Sequence, residues 1–400
     1  MSEKTILIAG GGIGGMSAAL TLAGRGFDVR VFEQAEVFGE VGAGLQLAPN
    51  CTRVLIDLGL EEPLRSVAFL PDGTQMRHWK RGTVIGENDL GDAVLEKYGF
   101  PYFHIHRADL MRVLLDAASE HPGIELSTHA PVEAVEQDDE RVCVTVGEER
   151  ITGDVLVGAD GIKSVVREAL FGSESPAFTG NVAWRGLVPV ERLPAALIKP
   201  KATVWWGPHK HFVHYYLRRG ELVNCVCVVE KQGWEVESWS ERGDLAELKN
   251  DFAGWHDEVQ SLIDNIDRDA LFKTALYDRP PMLQWSRGRI TLLGDACHPT
   301  LPFLAQGAAM AIEDAAVLAS LLRQAGTVEA QLKRYEDLRM ERTAAIQNGS
   351  RRNATVFHMT GVKAWARNRA AKRASGRRLD WLFRYNALDA AGAPAQRTPS

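Results

Sequence analysis

The stretch KTILIAGGGIGGMSAALTLAGRGFDVRVFEQ, residues 4–34, restricts the fold more than any other part of the chain. Residues 5–9 form a short apolar run, as expected of a parallel strand covered on both faces. Residues 13–22 are rich in Ala and Leu and predict a helix, which the Gly-Arg-Gly at 24–26 ends. Residues 29–32 predict the next strand, so the whole is a βαβ unit with a right-handed crossover. Gly10-x-Gly12-x-x-Gly15 falls in its first turn. Gly10 permits the tight bend, Gly12 lets the backbone approach a pyrophosphate, and Gly15 lets helix and strand pack closely. The helix start offers unpaired N–H groups and about half a positive charge to phosphates. Glu33, ending the second strand, can accept hydrogen bonds from ribose hydroxyls. A dinucleotide site is predicted.

A second stretch, LLGDACHPTLPFLAQGAAMAIEDA at 292–315, sets an acid, a Cys, a His and two prolines before an Ala-rich helix start. Asp295 and His298 could carry protons in a hydrolase, and Cys297 and His298 could ligate a metal. In a third reading neither side chain reacts, and the loop and helix start are shaped to meet a bound group. The five cysteines are scattered, with no C-x-x-C pair, and predict reduced thiols in a cytoplasmic protein and no metal site. A net charge of −6 does not favour nucleic acid. The N-terminal apolar run stops at Gly10, too early for a membrane span or signal peptide.

Helices are expected over 51–62 and 106–123. The segment ITGDVLVGADGIKSVVREALF repeats the order strand, glycine turn, helix, with Asp160-Gly161 at the turn. From about 176 to 230 the pattern changes to alternating strands, with a hairpin turn at Arg219-Gly220. A helical stretch near 243–266 precedes the strand in RITLLGDA. This interleaving predicts a discontinuous domain of residues 1–75, 101–175 and 276–345, and a β-rich domain of residues 76–100 and 176–275. A basic helical segment follows over 346–390, with Arg351, Arg352, Arg367, Arg373, Arg377 and Arg378, and then a disordered tail over 391–400.

The segments GGGIGGMSAAL, FEQ, EVGAGLQLAPN, HRADL, GADGIKSVVR and LLGDACHPTLPFLAQGAAMAIEDA occur in this order over about residues 4–345. In that order they resemble the single-component FAD-dependent aromatic hydroxylases, the class A flavoprotein monooxygenases of the salicylate hydroxylase, 3-hydroxybenzoate 6-hydroxylase and 6-hydroxynicotinate 3-monooxygenase type. The resemblance implies an α/β fold in which a Rossmann-like FAD-binding domain of the p-hydroxybenzoate hydroxylase kind is interleaved with a β-sheet substrate domain, plus C-terminal helices. It implies FAD as cofactor and NADH or NADPH as co-substrate. Gly10, Gly12, Gly15 and Glu33 would hold the ADP half, with Arg107 near the phosphates and ribityl chain and Val132 beside the adenine. Asp160 would serve FAD and the nicotinamide cofactor, and Asp295 the ribityl chain. Pro302 would wall the flavin ring, while Gly307 and Ala308 open a helix aimed at its pyrimidine edge. His298 and Cys297 then need no chemical role.

The resemblance also implies the reaction. Reduced flavin and O₂ form a C4a-hydroperoxide, whose terminal oxygen hydroxylates a small phenolic aromatic acid. The protein must exclude water and draw off the phenolic proton, a task for His or Tyr. On HFVHYYLRRG, period-two alternation puts His211 and Tyr215 on one face and His214 and Tyr216 on the other. The resembling enzymes use a His and a Tyr four apart on this strand, which selects His211 and Tyr215. His214, Gln46, Pro302 and Phe303 are further candidates for substrate contact. Gln46 and Phe303 stand where the 6-hydroxynicotinate enzymes have histidines, and Pro302 where the 3-hydroxybenzoate enzymes have Gln; together they favour a salicylate-like benzenoid acid. Arg185 is a candidate for a carboxylate or for a structural ion pair. The alternatives are the same chemistry on a hydroxypyridine or purine ring such as 6-hydroxynicotinate or urate, and an FAD reductase or oxidase without hydroxylation. A halogenase is disfavoured, since the W-x-W-x-I-P segment of that class is missing. The expected partners are the aromatic acid and O₂, with no nucleic acid and no membrane, in a monomer or homodimer.

Overall fold

A computed structural model describes residues 4–39, 44–231, 233–234, 236, 241–372 and 379–392. The Glu40-to-Ala43 part of EVGAGLQLAPN, Arg373, Arg377, Arg378 and the tail from 393 lie outside the described residues.

The predicted βαβ unit is present as Thr5–Ala9, Ile13–Ala23 and Asp28–Phe32. Its strands pair in parallel and in register, Ile6 with Val29 and Ala9 with Phe32. Ile124–Ser127 extends this sheet on one side; Val155–Gly158 and Ile290–Leu292 extend it on the other, all in parallel. Antiparallel Ser286–Arg287 closes that edge. The central strand residues Ile6, Leu7 and Ile8 are fully buried, which explains their unbroken apolar run. Helix Ile13–Ala23 packs on one face against helix Gly307–Leu322. Gly14 makes that approach possible, since a Cβ there would sit 2.8 Å from Leu293 Cδ2 and 3.3 Å from Ala311 Cβ.

The β-rich part is a seven-stranded sheet in the order Phe272–Asp278, Ala177–Pro189, Leu222–Glu230, Lys210–Leu217, Lys201–Gly207, Gly73–His78, Val84–Asp89. Every pair is antiparallel except Lys201–Gly207 with Gly73–His78. The Arg219-Gly220 hairpin turn is as expected, with φ +57° and +100°. One face of this sheet is covered by helices Leu245–Asp251 and Asp257–Asp264 around Trp184, Trp205 and Phe212. The other packs against Leu301, Phe303 and Phe357 and against the strand pair Gly44–Leu47 and Phe103–His106.

Residue 346, where a new segment was expected, lies inside one continuous helix, Val328–Phe357. That helix clamps the loop before Gly307–Leu322. Gln347 Nε2 donates to the Pro299 carbonyl (2.8 Å), Ser350 Oγ to Leu301 (3.0 Å) and Asn353 Nδ2 to Phe303 (3.0 Å). Two basic residues of the C-terminal segment, Arg351 within that helix and Arg367 after it, make internal contacts. Arg351 pairs with Asp278, and Arg367 lies 4.7 Å over the Trp206 ring. Leu382 and Phe383, in helix Asp380–Phe383, are buried with Ala48, Tyr102, Met310 and Ile346. Among the described residues no helix is long and apolar enough to cross a membrane.

Helix Gly307–Leu322 is apolar except for Ser320 near its end and for Glu313 and Asp314, both fully buried. Fully buried Arg339 holds both carboxylates, at 2.7 and 2.6 Å. Glu313 also binds Arg342 and Asn50, and Asp314 binds His298 Nε2 at 2.5 Å and the Gly294 N–H at 3.2 Å. Removing one partner of such a cluster strands a charge in the interior. Arg339→Ala should therefore cost about 3–5 kcal/mol of stability, read as a lower midpoint in urea unfolding followed by tryptophan fluorescence.

Candidate active site

The three glycine-and-acid loops meet. Gly10 holds φ +99°, and a Cβ there would lie 2.5 Å from the Ala159 carbonyl oxygen and 2.8 Å from Asp160 Cα. The first turn thus touches the Asp160-Gly161 turn directly. A Cβ on Gly15 would overlap the Gly10 oxygen at 1.9 Å, so helix and turn close on each other as the motif requires. Glu33 has a structural role that its position at a strand end did not suggest. Its carboxylate accepts the Gly11 N–H (2.8 Å) and the Ala35 N–H (2.9 Å), so it holds the turn while further lone pairs stay free for hydroxyls. The Ala130 N–H donates to the Glu33 carbonyl (2.9 Å), which brings the chain leading into Val132 alongside.

Asp160 Oδ2 accepts the Val166 N–H at 3.1 Å, while Oδ1 is buried with no partner among the described residues. Burial raises its pKa despite the bonds from Ser164 and Val166. An orphaned buried carboxylate oxygen is costly unless a ligand completes it. Asp295 sits in the turn Gly294–Ala296 with an exposed side chain, yet protein crowds it enough that burial raises its pKa against His298 and Arg107. Exposed surface within crowded surroundings puts Asp295 on the wall of a recess. Arg107, the first residue of helix Arg107–Glu120, is lowered by burial, with Asp295 opposing. His298 Nε2 is held by Asp314, and Cys297 Sγ donates to the Gly294 carbonyl at 3.4 Å.

Pro302 begins a 3₁₀ turn, Ala305 takes the left-handed conformation at φ +52°, and Gln306 caps helix Gly307–Leu322. Asn50 donates to Gln306 Oε1 at 2.9 Å and fixes that cap. The first-turn N–H groups of Gly307 and Ala308 have no acceptor within the helix. The nearest protein atom to a Cβ on Gly307 would be Thr300 Cγ2 at 3.5 Å, an ordinary contact. The protein itself therefore leaves room at this position. Free N–H groups, an orphaned acid oxygen and a crowded glycine turn fit the extended body of FAD.

Across the cavity stands the inner face of the seven-stranded sheet. His211 is buried against Phe303 and Phe357, with ring centroids 5.1 and 5.2 Å away. Tyr215 is buried beside His104, centroids 4.6 Å apart, and bonds to Gln46 and Asn224. Gln46 Oε1 also accepts the Tyr102 hydroxyl at 2.7 Å. Gly44 must be glycine here, as a Cβ would lie 2.7 Å from the Tyr215 ring. Between the two rows the register aligns Val213, Val226 and Arg185. Arg185 is desolvated, its pKa pushed down to about 10 by burial and by Arg107, with Tyr215 opposing. Sequence reasoning left Arg185 balanced between two roles; the strand register settles which face it occupies. His214 is not brought to this group. It lies on the opposite face, fully buried near Trp205 and Phe212, with Glu258 at 3.5 Å. His358 was missed, and its Nε2 lies 2.8 Å from His211 Nδ1.

This fold and site define a flavin-dependent aromatic-ring monooxygenase. Residues 3–350 match the family described as FAD binding domain, and the chain belongs to it. It is 39% identical over 387 residues to the 3-amino-4-hydroxybenzoate 2-monooxygenase PtnB3 of Streptomyces platensis, covering 96% of each chain. It is 38% identical to the 3-hydroxybenzoate 6-hydroxylase of Polaromonas naphthalenivorans, covering 96% of this chain and 97% of that one. A solved salicylate hydroxylase substrate complex superposes with TM-score 0.82 at 26% identity, covering 98% of each chain.

The crowding at Gly10 gives a direct test of the cofactor side. Gly10→Ala should lose FAD, leaving protein with native far-ultraviolet circular dichroism but little absorbance near 450 nm after desalting.

Proposed function

We propose that this enzyme hydroxylates a benzenoid phenolic acid of the hydroxybenzoate class, with the phenol end at His211 and the carboxylate end toward Arg185 and Tyr215. FAD, reduced by NADH or NADPH, supplies activated oxygen from O₂. The remaining work falls to the chain's own residues. His211 accepts the phenolic proton, which raises electron density on the ring. Arg185 and Arg107 together make the cavity attractive to anions, and Tyr215 offers a hydroxyl that burial keeps protonated. Phe303 and Phe357 exclude water around the His211 ring. The observation that carries the reading is the pairing of a buried, neutral imidazole with a desolvated arginine on one sheet face. The domain limits proposed from the sequence put FAD on the parallel sheet and substrate on the seven-stranded one. A cytoplasmic location is supported by five cysteines that form no disulfide.

A screen of hydroxylated benzoates for stimulated NAD(P)H oxidation, with product analysis to separate hydroxylation from peroxide release, tests the reading. Ring hydroxylation of a hydroxybenzoate is the expected outcome; oxidation that yields only peroxide with every acid would overturn it. His211→Ala should lower hydroxylation roughly 10²–10⁴-fold with FAD content unchanged. Arg185→Met should raise KM for the acid by about 10–150-fold, the loss of a charged hydrogen bond, while a phenol without the carboxylate is affected far less.

The pH dependence has a definite sign. Burial, then the neighbouring His358, holds His211 well below the usual imidazole range. A base that works neutral fails only as pH falls through its own pKa, so the acid limb of kcat/KM should lie below about 6.5, the ordinary histidine value.

A further inference from the structure

His211 is the inner end of a hydrogen-bonded chain that leads out of the pocket. Its Nδ1 lies 2.8 Å from His358 Nε2, His358 Nδ1 lies 2.9 Å from Glu230 Oε1, and Glu230 Oε2 lies 2.7 Å from His209 Nδ1. His211 and His358 are 2% and 5% exposed, whereas the side chains of Glu230 and His209 are 44% and 65% exposed. The backbone is built around this path. The His209 N–H donates to the His358 carbonyl (3.2 Å), and the Glu230 N–H to the His209 carbonyl (2.9 Å).

The carboxylate at the surface dictates the tautomers behind it. Burial alone would raise the pKa of Glu230, but the bonds from His209 and His358 outweigh it and lower the value. An ionised carboxylate only accepts, so His358 must present Nδ1–H to it. A neutral imidazole has a single N–H, and burial keeps His358 on the neutral side, with Glu230 opposing and His209 and Arg367 adding to the effect. His358 Nε2 must then accept, and His211 must donate from Nδ1. That leaves the lone pair of His211 on Nε2, at the opposite edge of the ring. A half-exposed acid thus determines, two rings away, which nitrogen of a buried base can take a proton.

We propose that His211, His358 and Glu230 form a proton conduit between the substrate pocket and solvent, with His209 holding the outer carboxylate oxygen, a role that rests on the phenol-hydroxylase reading above. In the outward step the phenolic O–H breaks and an N–H forms at His211 Nε2, the electron pair staying on the phenolate. The Nδ1 proton of His211 passes to His358 Nε2, the Nδ1 proton of His358 to Glu230, and half-exposed Glu230 releases one to water while His209 keeps its Nδ1–H on the other carboxylate oxygen. One proton leaves the phenol, one reaches solvent, and nothing is oxidised or reduced. Reprotonation of the product phenolate runs the same bonds in reverse and restores both tautomers.

The test uses full-length holoenzyme labelled with ¹⁵N-histidine, and 3-hydroxybenzoate mixed in weak buffer with a pH indicator. In the wild type, His211 and His358 should both appear as Nδ1–H tautomers before any acid is added. His358→Gln keeps hydrogen-bonding groups at this position but cannot pass a proton, so release should slow at least about tenfold with FAD content and 3-hydroxybenzoate affinity retained. Glu230→Gln, a change at a half-exposed position that preserves folding, should return both rings to mixed tautomers. Release by His358→Gln at the wild-type rate, or Nε2–H on His211 in the wild type, overturns the conduit and leaves the hydroxylase reading standing. If 3-hydroxybenzoate neither binds nor is hydroxylated, the substrate reading fails for this acid; the ligand-free tautomers then decide the conduit, Nδ1–H sustaining it and Nε2–H overturning it.

Discussion

The structure depends on one buried cation. Arg339 lies fully inside the protein between Glu313 and Asp314, and both acids reach outward from there to the functional loops. Asp314 holds His298 and the Gly294 N–H on either side of Asp295, and Glu313 reaches Asn50, which fixes the Gln306 cap. Replacing such a cluster with well-packed apolar groups need not cost stability in general. Here the charges do something apolar groups could not: they set the direction of two loops by hydrogen bonds with defined donors and acceptors. The acid that faces the cavity and the helix start that faces it are positioned by the same ionic centre.

Much of the cofactor side was legible because its rules are local. A glycine at φ +99°, a helix beginning within a few residues and an acid at the next strand end are all specified over about thirty residues. The hairpin and the period-two face of His211 and Tyr215 were legible for the same reason. What escaped was set by long-range packing. His358 meets His211 only because a helix begun at Val328 ends against the 207–210 turn. No sequence spacing encodes that meeting. One signal was present and unused: Glu313-Asp314 in a mostly apolar helix must be buried acids, and buried acids need a cation from elsewhere. The arginines at 339 and 342, three apart on the next helix, were the natural suppliers.

The electrostatics of the cavity also had to await the fold. Arg107, Arg185 and Asp295 come from a helix start, a central strand and a turn after a parallel strand. Each is unremarkable in its own segment. Brought together in desolvated surroundings they leave an excess of positive charge, and interactions there are stronger than at a water-exposed surface. A hollow of that kind attracts anions before any particular hydrogen bond is considered.

The helix Val328–Phe357 acts as a splint. Over one unbroken length it grips the ionic centre at Arg339, then Pro299, Leu301 and Phe303 in turn, and it ends where His358 enters the wall of the pocket. Its pitch therefore works as a ruler between the loop of residues 299–303 and the sheet face that carries His211. A single residue inserted after Arg339 would swing every later rung by about 100° and pull the two halves of the site out of alignment, even though no residue in contact with either ligand had changed.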